Sequence, residues 1–177
     1  MKVLLDKKPI ILLGKRPDSS TEIKKFIIPK AINVRQDLDS KILSKGLSII
    51  STLPNINTHA CVNQIYDITN IVNKKSLPIK IFNISSDQAK YWRQVNLLHE
   101  DLHIQGFSLH KSSKQSRKNF IDTLGIGVEN NWRIAHGLFG IKNGRIIHSM
   151  IPRQQMGNPD ARKFLREFCR KAGIKNG

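Results

Sequence analysis

The chain is short of cysteine, of acidic residues and of aromatic rings, and no long apolar run interrupts it. Cysteine occurs twice, as Cys61 and Cys169. Two cysteines exclude a disulfide framework and a four-cysteine metal site. No stretch approaches the ~18 uninterrupted apolar residues of a membrane-spanning helix. The N-terminal apolar runs, residues 3–5 and 10–13, are too short and too charged for a secretory signal. A cytoplasmic protein with no membrane partner is therefore expected. Aromatic residues make up 6% of the chain, which leaves few platforms for stacking single-stranded nucleic acid.

Negative charge is the scarcer sign. Thirteen Asp and Glu stand against 30 Lys and Arg, a formal net charge of +17. Such a surface attracts nucleic acid or anionic lipid without specificity. The bases are spread along the sequence, with modest clusters at residues 111–118 and 162–175. Three readings stay open: a solvated basic surface, weak nonspecific polyanion binding, or a patch for an acidic protein partner.

What is present fits one α/β domain over residues 1–177, long enough to bury its own core. Residues 1–14 read as an N-terminal β-hairpin turning near Asp6 to Pro9, followed by a polar loop and an irregular or short-stranded stretch to about Leu43. From residue 46 the pattern sharpens. Residues 46–53 are a short apolar run that Pro54 stops, as in a buried strand. Val62, Ile65, Ile68, Ile71 and Val72 then recur at helical spacing. A strand over 77–84, a helix over 88–97 capped by Asp87, a strand over 104–109 and a short helix over 116–124 follow. Asn143-Gly144 joins two apolar runs, 132–141 and 145–151, a strong hairpin signal. Pro159 opens a last helix and Gly173 closes it. Strands alternating with crossover helices imply a parallel or mixed sheet covered on both faces. With the final hairpin and closing helix, the order is thioredoxin-like.

The chemistry concentrates at Cys61. Coming soon after Pro54, it falls where a strand turns into a helix, beyond the carboxyl ends of the strands, where sites in open α/β sheets lie. Free N–H groups and the helix dipole favour an anion there. The thiol is therefore expected to ionise below its ordinary value of ~8.5. Thr58, three residues upstream, is close enough for its hydroxyl to reach the sulfur.

Pro54-Asn55-Ile56-Asn57-Thr58-His59-Ala60-Cys61 resembles the Pro-x-x-x-Thr/Ser-x-x-Cys signature of peroxiredoxins. Pro-x-Ile-x-Thr-x-x-Cys, with the strand before it, is most similar to the bacterial thiol peroxidase subgroup. Ile84-Ser85-Ser86-Asp87 resembles that subgroup's Ile-Ser-x-Asp, and Asn131-Trp132-Arg133-Ile134-Ala135 its Arg-containing strand. The likeness runs over about residues 46–172 and more weakly before. It implies a thioredoxin-like fold of the peroxiredoxin type and a thiol-dependent peroxidase. Cys61 would be the nucleophile that attacks the O–O bond and becomes a sulfenic acid. Thr58 would hydrogen-bond thiolate and peroxide, Arg133 would supply positive charge to both, and Pro54 would shield the sulfenic acid from water. The likeness further implies a homodimer, a hydroperoxide substrate, thioredoxin or another thiol as reductant, and no metal or organic cofactor. Each residue also has a plain structural alternative: Thr58 a helix cap, Arg133 an edge-strand ion pair, Pro54 a strand stop.

The pattern breaks at one point. The subgroup's resolving cysteine follows the Ile-Ser-x-Asp strand, and residues 88–96 here contain none. An external thiol could reset the enzyme, Cys169 could resolve it, or the cycle could be impaired. In the last case the domain would be a redox sensor or a binding protein that uses its basic surface. Cys169 falls on an apolar helix face, where a thiol packs and is inert. Finally, His99-Glu100-Asp101-Leu102-His103 has the spacing of a zinc-peptidase helix. A strand begins at once afterward and no third ligand is evident, so a loop is the expected reading.

Overall fold

A computed structural model describes residues 1–100 and 103–174. The chain begins with the expected hairpin, β1 (Lys2–Leu5) and β2 (Lys8–Leu13), turning at Asp6-Lys7, where Asp6 takes a φ of 56°. The stretch to residue 45 holds β3 (Ile27–Ile28), β4 (Lys30–Ile32), β5 (Leu38–Asp39) and a single-turn 3-10 helix, Ser40–Ser44. Then come β6 (Leu47–Leu53), α1 (His59–Lys74), β7 (Ile79–Ser85), α2 (Ala89–Leu98) and β8 (Gly106–Ser108). The chain continues with α3 (Lys114–Leu124), β9 (Gly127–Val128), the hairpin β10 (Gly137–Lys142) and β11 (Arg145–Met150), and α4 (Ala161–Ala172).

Six strands form the central sheet in the order β11-β10-β6-β7-β8-β4. β6, β7 and β8 run parallel, while β10, β11 and β4 join antiparallel. This is the mixed sheet that the alternation of strands and helices implied. β6 is buried at all but its first position, as a strand covered on both faces must be. Its alternation divides the core: Ile49 packs with α1 and α4, through Ile68, Val72, Phe164 and Phe168. Ile50 faces the opposite way, toward Leu12, Phe26, Phe120 and Phe139. A third cluster, Leu53, Ile56, Cys61, Val62, Ile65, Trp92, Val95 and Ile104, fills the space between α1 and α2.

Two local expectations shift, and a third holds. The strand expected from Trp132 begins only at Gly137, so residues 132–136 lead into the sheet as a loop. Pro159 precedes α4, whose N-cap is Asp160; the Asp160 carboxylate accepts from the Lys163 N–H at 2.9 Å. The His-Glu-x-x-His stretch does not lie on one helix. α2 stops at Leu98, His99 follows as its cap, and His103 takes a φ of 42°, while Asp101 and Leu102 fall outside the described residues. Among the described residues no three potential metal ligands cluster.

One close approach sets the third cluster. A Cβ added at Gly106 would fall inside the Trp92 indole, which is fully buried next to the cysteine. Gly106→Ala should therefore cost about 1–3 kcal/mol through overpacking, read as a lower urea midpoint. An unchanged midpoint would mean that the indole has room to move.

Candidate active site

β6 ends at Pro54, and the loop after it folds back on itself. The Asn55 carbonyl accepts from the Thr58 N–H at 3.0 Å and from the Thr58 hydroxyl at 2.9 Å. The Asn55 side chain accepts from the Asn57 N–H at 3.2 Å. These bonds hold Thr58 in an extended conformation (φ −98°, ψ 145°), which is that of a helix N-cap. Its hydroxyl oxygen accepts from the Cys61 N–H at 3.4 Å. Thr58 is thus the cap considered from sequence, and the capped group is the cysteine's own backbone.

Arg133 reaches the same loop from residues 132–136. Its Nη1 donates to the Pro54 carbonyl and to Asp87 Oδ1, the latter at 3.3 Å, and its guanidinium lies over the Trp132 ring, 4.6 Å from the centroid. Asp87 does not cap α2. Gln88 holds the cap position without a side-chain bond, and Asp87 Oδ2 instead accepts from the Ile56 N–H at 2.8 Å. At 3% exposure this carboxylate needs both partners, because a buried charge left unpaired is strongly unfavourable. The four residues singled out by sequence therefore gather beyond the carboxyl end of β6: Pro54 and Arg133 bonded directly, Thr58 and Cys61 one helical turn further on. Beside them opens a cleft of about 530 Å³ with Tyr91, Arg117, Trp132 and Arg133 among its walls.

Cys61 itself is closed off from solvent, at 0% exposure. The expectation of a lowered thiol pKa fails for that reason. Burial pushes the thiol up to about 11; the Thr58 hydroxyl, the Asn55 backbone and the Arg133 charge pull the other way but less, and Asp87 adds to the rise. The helix terminus does favour an anion, but desolvation is the larger effect when no water reaches the sulfur.

Sequence reading missed a buried histidine beside the sulfur. His136, 2% exposed, places Nε2 3.7 Å from Cys61 Sγ, and its Nδ1 lies 2.7 Å from Gln64 Oε1. Burial alone holds its pKa down at about 4. A signal for Gln64 existed: it shares the apolar stripe of α1 with Cys61, Ile65 and Ile68, where an amide must find partners. His136 carried no such signal, because nothing in its neighbourhood fixes which way a loop residue points. Cys169 lies in α4, packed with Phe164, Leu165 and Phe168 in a cluster that Cys61 does not join, and burial raises its pKa too.

No protein-family model and no curated protein sequence matches the chain. Solved structures do. Thiol peroxidase from Chromobacterium violaceum superposes with a TM-score of 0.77 at 13% identity, covering 98% of each chain. A peroxiredoxin-like protein from Aquifex aeolicus gives 0.75 at 13% identity over 96% of each. The mitochondrial 2-Cys peroxiredoxin from Plasmodium falciparum gives 0.66 at 15% identity, over 89% of this chain and 99% of that one. The fold is the thioredoxin-like fold of peroxiredoxins. With its leading hairpin and central mixed sheet, it is the architecture expected from the sequence.

Cys61 and His136, the two groups shifted furthest, bear most on the pH range of stability. Cys61, raised from an ordinary ~8.5 to about 11, contributes stability that is complete below ~8.5 and lost as pH rises through about 11. His136, lowered from ~6.5 to about 4, contributes stability present above ~6.5 and lost as pH falls toward 4. Urea midpoints should accordingly peak between ~6.5 and ~8.5. In the Cys61→Ser variant the alkaline fall should shrink; a fall of unchanged size would refute the assignment to Cys61.

Proposed function

We propose that the chain is a thiol-dependent peroxidase that reduces hydrogen peroxide or organic hydroperoxides through Cys61. The observation that carries this reading is the convergence at the start of α1. The Thr58 hydroxyl sits on the cysteine's backbone, and the Arg133 charge acts on its sulfur from the adjoining loop. In this reading Cys61 is the nucleophile and becomes a sulfenic acid. Thr58 and Arg133 supply hydrogen bonds and charge to the reacting oxygens, and Pro54 covers the product. Because the sulfur is buried, peroxide reaches it when the loop over residues 54–57 or the first turn of α1 opens. Opening also hydrates the thiol, which removes the main cause of its raised pKa.

We assign the resetting step to an external thiol, thioredoxin or a similar dithiol, because Cys169 is packed among phenylalanines in a separate cluster. The reading further takes residues 1–177 as one antioxidant domain, acting in the cytoplasm as a homodimer without metal or organic cofactor. A second reading draws on the basic surface. Lys74, Lys75, Arg162 and Arg166 ring a cleft of about 590 Å³ between α1 and α4, a place for a polyanion or an acidic partner. In that reading the thiol would only sense oxidation.

Purified protein should consume hydrogen peroxide with a dithiol reductant, and Cys61→Ser should abolish the activity. Mass spectrometry of the peroxide-treated protein should find sulfenic acid, or its trapped adduct, at Cys61. A wild type whose Cys61 stays reduced in low peroxide would end the peroxidase reading.

A further inference from the structure

The neighbours of Gln64 fix the protonation of the histidine beside the cysteine. Gln64 Nε2 lies 3.2 Å from the Thr52 carbonyl, 3.3 Å from the Gly137 carbonyl and 2.9 Å from the Ser51 hydroxyl. Carbonyls only accept, so this end of the amide must be the NH2 group and the oxygen must face His136. An amide oxygen also only accepts, so His136 Nδ1, at 2.7 Å, must carry the ring proton. Nε2 is then the free, basic nitrogen, and it is the one that points at Cys61 Sγ, 3.7 Å away. The backbone beside it is held as well: the N–H of His136 donates to Gln155 Oε1 at 2.7 Å.

We infer that His136 is the proton acceptor of Cys61, held in the required tautomer by Gln64. The inference rests on the reading of Cys61 as a nucleophile. As hydroperoxide enters, the S–H bond breaks and the proton moves to Nε2, leaving its electron pair on sulfur. Sulfur attacks the terminal oxygen of ROOH, the S–O bond forms and the O–O bond breaks. The alkoxide that leaves takes the proton from the imidazolium, so Cys–SH and ROOH become Cys–SOH and ROH. Sulfur is oxidised, peroxide is reduced, and His136 ends neutral. In the closed conformation both partners stay neutral, since neither charge is hydrated there. The other charges acting on the sulfur are Asp87, from the loop after β7, and Arg133, from the loop before β10. α1 faces the imidazole with Gln64, and β6 holds that amide through Ser51 and Thr52, all three uncharged. His136 touches the reacting atom, whereas Gln64 is a positioning residue.

The test uses the full chain in a Cys169→Ser background, so that Cys61 alone reacts. Nitrogen-15 NMR of His136 should show the Nδ1–H tautomer; an Nε2–H tautomer would overturn the assignment. Rate constants for iodoacetamide and for hydrogen peroxide, measured from pH 3 to 9, give the second readout. His136→Phe should lower both by about 100-fold or more at neutral pH, in line with loss of a general base. Gln64→Glu places a carboxylate on Nδ1–H and should move the acid limb of both profiles to higher pH, which a merely structural glutamine would not do. A folded His136→Phe protein with wild-type rates would refute the inference, as would an unmoved profile in Gln64→Glu. If iodoacetamide shows the His136 dependence while peroxide leaves Cys61 reduced, the proton acceptor stands and the peroxidase reading falls.

Discussion

A single buried carboxylate holds the candidate site together. Asp87 leaves the end of β7 and bonds the Ile56 N–H of one loop and the Arg133 guanidinium of another. Its own backbone is tied in as well: the Asp87 N–H donates to Ser85, and its carbonyl accepts from the Ser108 hydroxyl at the end of β8. Two strand ends and two loops thereby meet at one residue, the strand ends on its backbone and the loops on its carboxylate. The arrangement fixes Arg133 where it neutralises Asp87 and still acts on Cys61, although the carboxylate itself works against ionisation of the thiol. Structural and chemical demands meet in the same ion pair, and they pull the sulfur in opposite directions.

The site is accordingly a balance rather than a preset thiolate. A cap hydroxyl, a helix terminus and a guanidinium all favour the anion. Enclosure by Leu53, Ile56, Ile65 and Trp92 disfavours it more. In a low-dielectric pocket a neutral hydrogen-bonded pair is the stable arrangement, and the Cys61–His136 contact supplies it. In the proposed reaction, reactivity depends on how far the first turn of α1 can part from its neighbours.

Much of the fold was legible because local chemistry and tertiary structure agree. Asn143-Gly144 forms the turn that its residue types demand, with φ values of 50° and 80°. The alternation of apolar runs gave β6, α1, β7 and α2 to within a few residues. Pro54, Thr58 and Cys61 were readable because a strand stop, a cap and a helix start have fixed spacing. Asp87 was misread for a related reason: at a strand-to-helix junction an aspartate looks like a cap, and only tertiary packing brings Ile56 and Arg133 to compete for it. Arg133 and His136 sit in a loop, whose path is set by long-range contacts such as the Arg133–Pro54 bond. No periodicity encodes such a path. Thiol ionisation was misjudged because the helix dipole is visible in a sequence, whereas exclusion of water is a property of the assembled core.

The placing of Cys169 in α4, apart from the third cluster, has a kinetic consequence. A chain with a second thiol at hand can close a bond within itself at a rate independent of concentration. Here an oxidised Cys61 would wait for a collision. In the proposed peroxidase, each turnover would then be second order twice, once in hydroperoxide and once in the thiol that restores the sulfur, giving ping-pong kinetics. Throughput would scale with the reductant pool, and a shortage of reductant would leave the protein parked in its oxidised form.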